Sequence, residues 1–347
     1  MTKWIGRRVI KTGLAVFITA TICKLFDLPV VFAVITAIVT TEPTAADSIK
    51  KGIIRLPAAA IGASFAIVMD IILGQSALTY AVVAMLTIVA CARLKLDTGT
   101  LVATLTAVAM IPGTSDSFIF DFLTRLSGTT VGILVSTLVN FVILPPRFGP
   151  IVVKKVDYLY KEVATTFTQL ISQITKDGIV SSSSYRELSQ EMDKAFQLTQ
   201  FQEDEWKYRS FEENEKRSFH FLQEKLHYLQ QILFHIGSLS YSRLDQLVIN
   251  NQQKQQLIKM SDTLADILQD PFHEMNPEHH LMKEELRKEL SIFYLDNSTP
   301  LAKVYYEMYS LYSLAEKISK LTEEERVYSS TEKSYPKYVF GTRIQYE

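Results

Sequence analysis

Two arginines stand inside apolar runs, seventy residues apart: Arg55 in GIIRLPAAAIGA (52–63) and Arg125 in LTRLSGTTVGIL (123–134). A cationic side chain at the centre of a membrane helix costs roughly 2.5–3.5 kcal/mol on insertion scales, so two at one spacing need a chemical reason. The chemistry a guanidinium offers there is anion recognition. Its planar fork replaces the hydration of an anion and binds a carboxylate through two parallel N–H donors. Two further groups of residues could assist. Thr40, Thr41 and Thr114 would add hydroxyl donors beside two breaks in the apolar runs, TTEPT (40–44) and MIPGT (110–114), whose Pro43, Pro112 and Gly113 interrupt a helix. The competing reading is structural: each arginine snorkels to the nearer headgroups, or pairs with Glu42 or Asp121.

The elements that position these residues repeat. Residues 32–66 laid over 102–136 without a gap give eight identities in 35: Ala33, Thr36, Ala37, Thr44, Ile49, Arg55, Leu56 and Gly62 fall on Ala103, Thr106, Ala107, Thr114, Ile119, Arg125, Leu126 and Gly132. Shared composition can supply the small and apolar matches more easily than the R-L-x5-G pattern in both copies. The first apolar stretch aligns more weakly at the same offset, with Asp27 over Asp97.

Residues 1–146 hold 11 Lys/Arg and 7 Asp/Glu, and the remaining 201 residues hold 25 and 30. The first part is too apolar for an ordinary water-exposed domain, and the second reads as a charged helical one. Six spans are expected, at about 9–26, 29–42, 54–73, 77–92, 98–112 and 122–144, the second and fifth short of the roughly 20 residues a span needs. Lys and Arg cluster before the first span, between the second and third, between the fourth and fifth, and after the sixth, which places both termini on the cytoplasmic side. Three spans per copy is an odd number, so the second copy is inverted relative to the first. Such 3+3 inverted repeats bind their substrates near the midplane, beside short or interrupted segments.

Pro145 and Pro146, in PPRFGP (145–150), mark a hinge into a cytoplasmic helical bundle over 147–322. Its helices are expected near 151–177, 185–205, 212–238, 243–269, 278–294 and 300–322, followed by a polar tail over 323–347. Positions 152, 156, 159, 163, 167, 170 and 174 carry apolar side chains at helical spacing. Cys23 and Cys91 read as small buried hydrophobes. Gly128 and Gly132 form a GxxxG packing pattern. Asp70 reads as an interface residue or a proton-coupling carboxylate. His273, Glu274, Glu278, His279 and His280 lack a fixed ligand geometry, so no metal is expected. No Gly-rich phosphate loop and no nucleophile–base grouping occurs, which argues against an ATP-driven pump and against an enzyme. No cofactor and no nucleic-acid partner is expected.

The basic N-terminus, the six short spans, the ITAIVTTEPTAADSIKKGIIRLPAAAIGA segment (35–63) and the second R-L-x5-G copy at Arg125 resemble the aromatic acid exporter family, within the fusaric-acid-resistance-like group. More distantly, the layout is similar to the plant aluminium-activated malate transporters, dimeric anion channels in which arginines of the third and sixth spans line the anion path. By position these fall on Arg55 and Arg125. The resemblance implies a permease or channel of the cell membrane that exports organic anions, aromatic carboxylates above all, from a homodimer in contact with membrane lipid. Many bacterial members of the group carry two membrane halves in one chain, whereas this chain has one half and would need a second copy. Channel and exchanger both stay open. The rival reading is a membrane-anchored scaffold or sensor whose helical domain binds a partner.

Overall fold

The computed structural model describes residues 7–111, 118–143, 148–176, 183–208, 213–242, 249–275, 277–292 and 299–331, and every regular element among them is helical. The chain divides into two compact units, Met1–Pro146 with Glu203–Arg209, and Arg147–Gln202 with Ser210–Glu347. The first unit is built from α1 (Arg7–Leu25), α2 (Val30–Thr40), α3 (Ala45–Leu73), α4 (Ala77–Arg93), α5 (Thr100–Met110) and α6 (Phe118–Leu138), the last running into a π-helical turn at Val139–Ile143. Helices thus form at all six places where spans are expected. Two of them, Ala45–Leu73 and Ile119–Ile143, are long and apolar enough to cross a membrane. With 11 residues each, α2 and α5 rise only about 16 Å at 1.5 Å per residue, roughly half of a ~30 Å hydrocarbon core.

Local chemistry sets these ends. Thr44 caps α3, its hydroxyl accepting from Asp47 N at 3.0 Å, and Asp47 adds a negative charge to the first turn. The helix therefore starts at Ala45 rather than at 54. Gly74, at φ +61°, closes it with its N–H on Asp70 O. The side chains facing outward are large and apolar, Phe17, Leu25, Met85, Ile119 and Leu134 each being more than 60% exposed. Such a surface suits lipid and not water.

Contacts in this unit recur with the repeat. The α3 helix packs on α5, α4 and α6, and α6 packs on α2, α1 and α3. The exchange of α1 with α4, α2 with α5 and α3 with α6 carries that pattern onto itself. The glycines show it in detail. A Cβ at Gly62 would overlap the Ala103 carbonyl oxygen and press on Ala107, while one at Gly132 would overlap the Ala33 carbonyl oxygen and press on Thr36. Gly99 sits against Ala58, and the counterpart pair, Pro29 and Gly128, is also in contact.

The first helices of the two copies follow a different offset. Two residues past the end of each helix the chain takes a positive φ, at Asp27 (50°) after α1 and at Lys95 (57°) after α4, with Leu28 N donating to Cys23 O and Leu96 N to Cys91 O, both at 2.8 Å. The same left-handed closure relates Asp27 to Lys95, not to Asp97 as the ungapped alignment has it. The linker after α4 is longer because it holds a 3₁₀ turn at Asp97–Gly99. Both cysteines are fully buried.

The second unit is formed by α7 (Gly149–Lys176), α8 (Ser183–Trp206, apart from its end at 203–206), α9 (Glu213–Ser240), α10 (Asn251–Gln269), α11 (Pro277–Ile292) and α12 (Pro300–Thr331). The apolar positions read on α7, from Val152 to Ile174, are all buried. The last helix does not stop at 322. It continues to Thr331 because Glu325 is fully buried and bonded to the equally buried Lys225 at 2.5 Å.

His279 is also fully buried, its ring stacked on Tyr312 with centroids 4.5 Å apart. Burial pulls its imidazole down to about 4, against the opposing effect of Glu316. With an unfolded value of about 6.5, the unfolded chain binds the extra proton as pH falls, so this group removes stability from about pH 6.5 down to about pH 4, in all roughly 3 kcal/mol. His279→Phe keeps the stack and removes the titration. Its melting temperature should therefore fall less than the parent's between pH 7 and pH 5, as read by thermal unfolding at each pH.

Candidate functional site

The break between α2 and α3, residues 41–44, is held by one side chain. Asn140 lies fully buried in the π-helical turn that ends α6. The widened turn directs its amide at the break: Nδ2 lies 3.1 Å from Glu42 O, 2.8 Å from Thr44 O and 2.7 Å from Ser48 Oγ. Its Oδ1 accepts from Lys11 Nζ at 2.6 Å. Backbone carbonyls left unpaired in an apolar setting are costly, and Asn140 removes that cost while tying α1 and α6 to the break. Asn140→Ala should destabilise the protein by about 2–3 kcal/mol, since it leaves the buried carbonyl acceptors of the break without their donor and removes the Lys11 contact, and a thermal melt of the purified protein checks it.

Arg55 projects from α3 into this region, with only 6% of its surface exposed. Its NH2 donates to Glu42 Oε1 at 2.6 Å and its Nε to Thr98 O at 3.4 Å. Glu42 Oε2 takes Lys51 Nζ at 3.0 Å, and Lys51 also lies 3.6 Å from Asp47. One branch of the fork, NH1, is buried without a hydrogen-bond partner among the described residues. The pairing weighed from sequence, Arg55 with Glu42, is present.

Arg125, on α6, is placed differently. It makes no ion pair among the described residues; its NH2 donates to Ala109 O at 2.7 Å, and its guanidinium carbon lies 3.4 Å from the centre of the Phe32 ring. A cation over an aromatic face is stabilised without being neutralised. Its NH1 too is buried and unpartnered among the described residues. Phe32 and Ala109 are at the same time walls of a cavity of about 80 Å³ between α2 and α5. That cavity is lined by four pairs related by the repeat: Phe32 with Val102, Ile35 with Leu105, Thr36 with Thr106, and Val39 with Ala109. The arrangement can hold an apolar group between α2 and α5 and a negative charge at the Arg125 end.

The threonines read as donors are placed as follows. Thr40 Oγ1 donates to Thr36 O at 2.7 Å and lies 2.6 Å from Ser136 Oγ, while Thr41 Oγ1 donates to Ala37 O at 3.0 Å. To serve an anion either hydroxyl must rotate off its carbonyl. Pro43 lies in the described break. Thr114, Pro112, Gly113, Pro145 and Pro146 lie outside the described residues. Asp70 is partly buried near the end of α3. In the second unit His273 Nδ1 is 2.9 Å from Ile267 O beneath the Tyr160 ring, apart from the other two histidines of the stretch, whereas His279, stacked on Tyr312, and His280 lie side by side with Glu316 Oε1 at 3.5 and 3.8 Å.

Sequence reasoning passed over Thr36, Thr106, Phe32 and Asn140. The two threonines carried a signal, their identity within the repeat. Asn140 carried none, because its role depends on a π-helical turn that no pattern in the chain announces.

Residues 3–143 match the family model described as Aromatic acid exporter family member 1. Relatives of nearly the same length include a UPF0421 protein of Halalkalibacterium halodurans, 45% identical over 99% of this chain and 96% of the relative. A UPF0421 protein of Bacillus cereus is 38% identical over 93% and 95%, and one of Staphylococcus saprophyticus is 35% identical over 90% and 96%.

Proposed function

This chain belongs to the aromatic acid exporter family, and we propose that it is a membrane permease or channel that carries organic anions, aromatic carboxylates above all, out of the cell. The observation that carries this reading is Arg125: a buried guanidinium with no ion pair among the described residues, lying over Phe32 at a cavity between two half-length helices. The carboxylate of the substrate binds Arg125, and its ring lies among the apolar side chains of α2 and α5. Arg55 is the second cation of the path, with Thr40, Thr41 and Thr114 as hydroxyl donors beside the breaks.

The six helices lie in the membrane as a 3+3 inverted repeat in which α2 and α5 supply only half-length segments, supported by the glycine contacts that recur under the exchange of α2 with α5 and α3 with α6. The cavity lined by repeat-related pairs then sits where inverted repeats meet, the usual place of a transporter site. Both termini and the helical unit are cytoplasmic, supported by the distribution of Lys and Arg, and two copies assemble the working pore. Export needs no coupling ion, because an inside-negative potential drives a monovalent anion outward with about 2.3 kcal/mol per 100 mV.

The test is anion current through the purified protein in liposomes under a set potential, benzoate against chloride. Saturable benzoate current supports the reading. A folded protein that passes no organic carboxylate overturns it and leaves the anchored-scaffold alternative.

A further inference from the structure

Resting on that transport reading, we propose that Glu42 is a tethered competitor of the transported anion: its carboxylate occupies Arg55 until a substrate carboxylate displaces it. Three observations carry the inference.

The first is that Glu42 fills Arg55 incompletely. It meets the guanidinium through NH2 alone, at 2.6 Å, while NH1 stays buried without a hydrogen-bond partner among the described residues. A free carboxylate binding both branches of the fork satisfies the orphaned donor as well, so the exchange of Glu42 for substrate is favourable at the guanidinium.

The second is that Glu42 has somewhere to go. Its other oxygen already accepts from Lys51 Nζ at 3.0 Å, and Lys51 is more exposed than Arg55, 28% against 7% for the side chains. Displaced from Arg55, the carboxylate keeps the Lys51 bond and is not stranded unpaired. Glu42 also sits in the non-helical break, where side-chain rotation does not disturb a helix. The hydrogen bond from Asn140 to its carbonyl fixes the backbone beneath it, so that the carboxylate moves while its anchor stays.

The third is that the repeat does not copy this device. The position matching Glu42 is Pro112, which has no acid to offer, and Arg125 makes no ion pair among the described residues. The two cations are therefore unequal: Arg125 feels Asp121 one turn earlier only at longer range, with no ion pair among the described residues, whereas Arg55 is occupied by direct contact from within. An anion is captured at Arg125 first and completes its passage only by displacing Glu42.

The experiment compares benzoate transport by the parent, Glu42→Gln, Glu42→Asp and the double variant Glu42→Gln with Arg55→Gln in liposomes, reading the half-saturating concentration. Glu42→Gln removes the competing charge but keeps the shape, and Glu42→Asp keeps the charge but draws it back from Arg55. Both should lower the half-saturating benzoate concentration, the Gln variant about tenfold, which corresponds to about 1.4 kcal/mol. The gain should vanish in the double variant, because it acts through Arg55. Unchanged or weaker saturation in whichever single variants fold, or a gain that survives loss of Arg55, overturns the inference. Benzoate flux that is saturable and lost in Arg125→Ala, with Glu42 variants like the parent, sinks this inference alone. Absence of flux in the parent sinks the transport reading beneath it.

Discussion

Arg125→Ala should reduce benzoate current in proteoliposomes by about a hundredfold at subsaturating substrate. The size follows from burial. Arg125 is 9% exposed, and truncating one partner of a desolvated, hydrogen-bonded charge pair costs roughly 2–5 kcal/mol; 2.7 kcal/mol is already about two decades. Arg125→Lys separates charge from geometry. It keeps a cation but loses the fork and the flat face over Phe32, so it should retain an intermediate current. Arg55→Ala should lose less than Arg125→Ala, because Glu42 and Lys51 remain to rearrange around it. Parent-like current in Arg125→Ala would discard this arginine as the anion site even if the protein transports.

Much of the packing around Arg55 and Arg125 is legible in the sequence, because it rests on features that leave marks in a linear chain. The doubled R-L-x5-G pattern marks a close helix approach, Gly62 on Ala103 and Gly132 on Ala33, and it placed Arg55 and Arg125 at matching points. The periodic apolar positions of α7 marked its buried face for the same reason: packing imposes a period of 3.6. What was not legible depends on geometry without a period. The closures of α1 and α4 carry Asp27 and Lys95 at the same left-handed turn, but a 3₁₀ insertion hides the match from an ungapped comparison. The Arg55–Glu42 pair was visible as a possibility and no more, since two residues thirteen apart across a break can meet only if the break turns the chain back. That turn depends on Asn140, from the far end of α6. The extent of α12 was missed because Glu325, charged and in a polar stretch, gives no sign that it is buried against Lys225.

Gly132→Ala is the substitution expected to harm the fold most for the fewest atoms added. The new Cβ would overlap the Ala33 carbonyl oxygen, with Thr36 Cβ at 3.0 Å and Ala37 N at 3.2 Å. The obstruction is mostly backbone, which no rotamer change relieves, so α6 and α2 must separate. Overpacking of this kind costs about 1–3 kcal/mol, and in a membrane the lost close packing between helices is a main source of their association. Because α2 carries Phe32 and Thr36 into the cavity, the same displacement should reduce benzoate current in whatever protein still folds. Gly62→Ala, the repeat counterpart, meets Ala103 O and Ala107 in the same way and should lower the melting temperature by a similar amount. Gly128→Ala is the control from the same GxxxG pattern. Its nearest neighbour would be Pro29 at 3.5 Å, an ordinary contact, and replacing a helical glycine by alanine favours the helix by up to about 1 kcal/mol. Melting curves of the three variants therefore should split, with Gly62→Ala and Gly132→Ala below the parent and Gly128→Ala at or above it. Equal losses for Gly128→Ala and Gly132→Ala would mean that something other than close backbone approach accounts for the glycines.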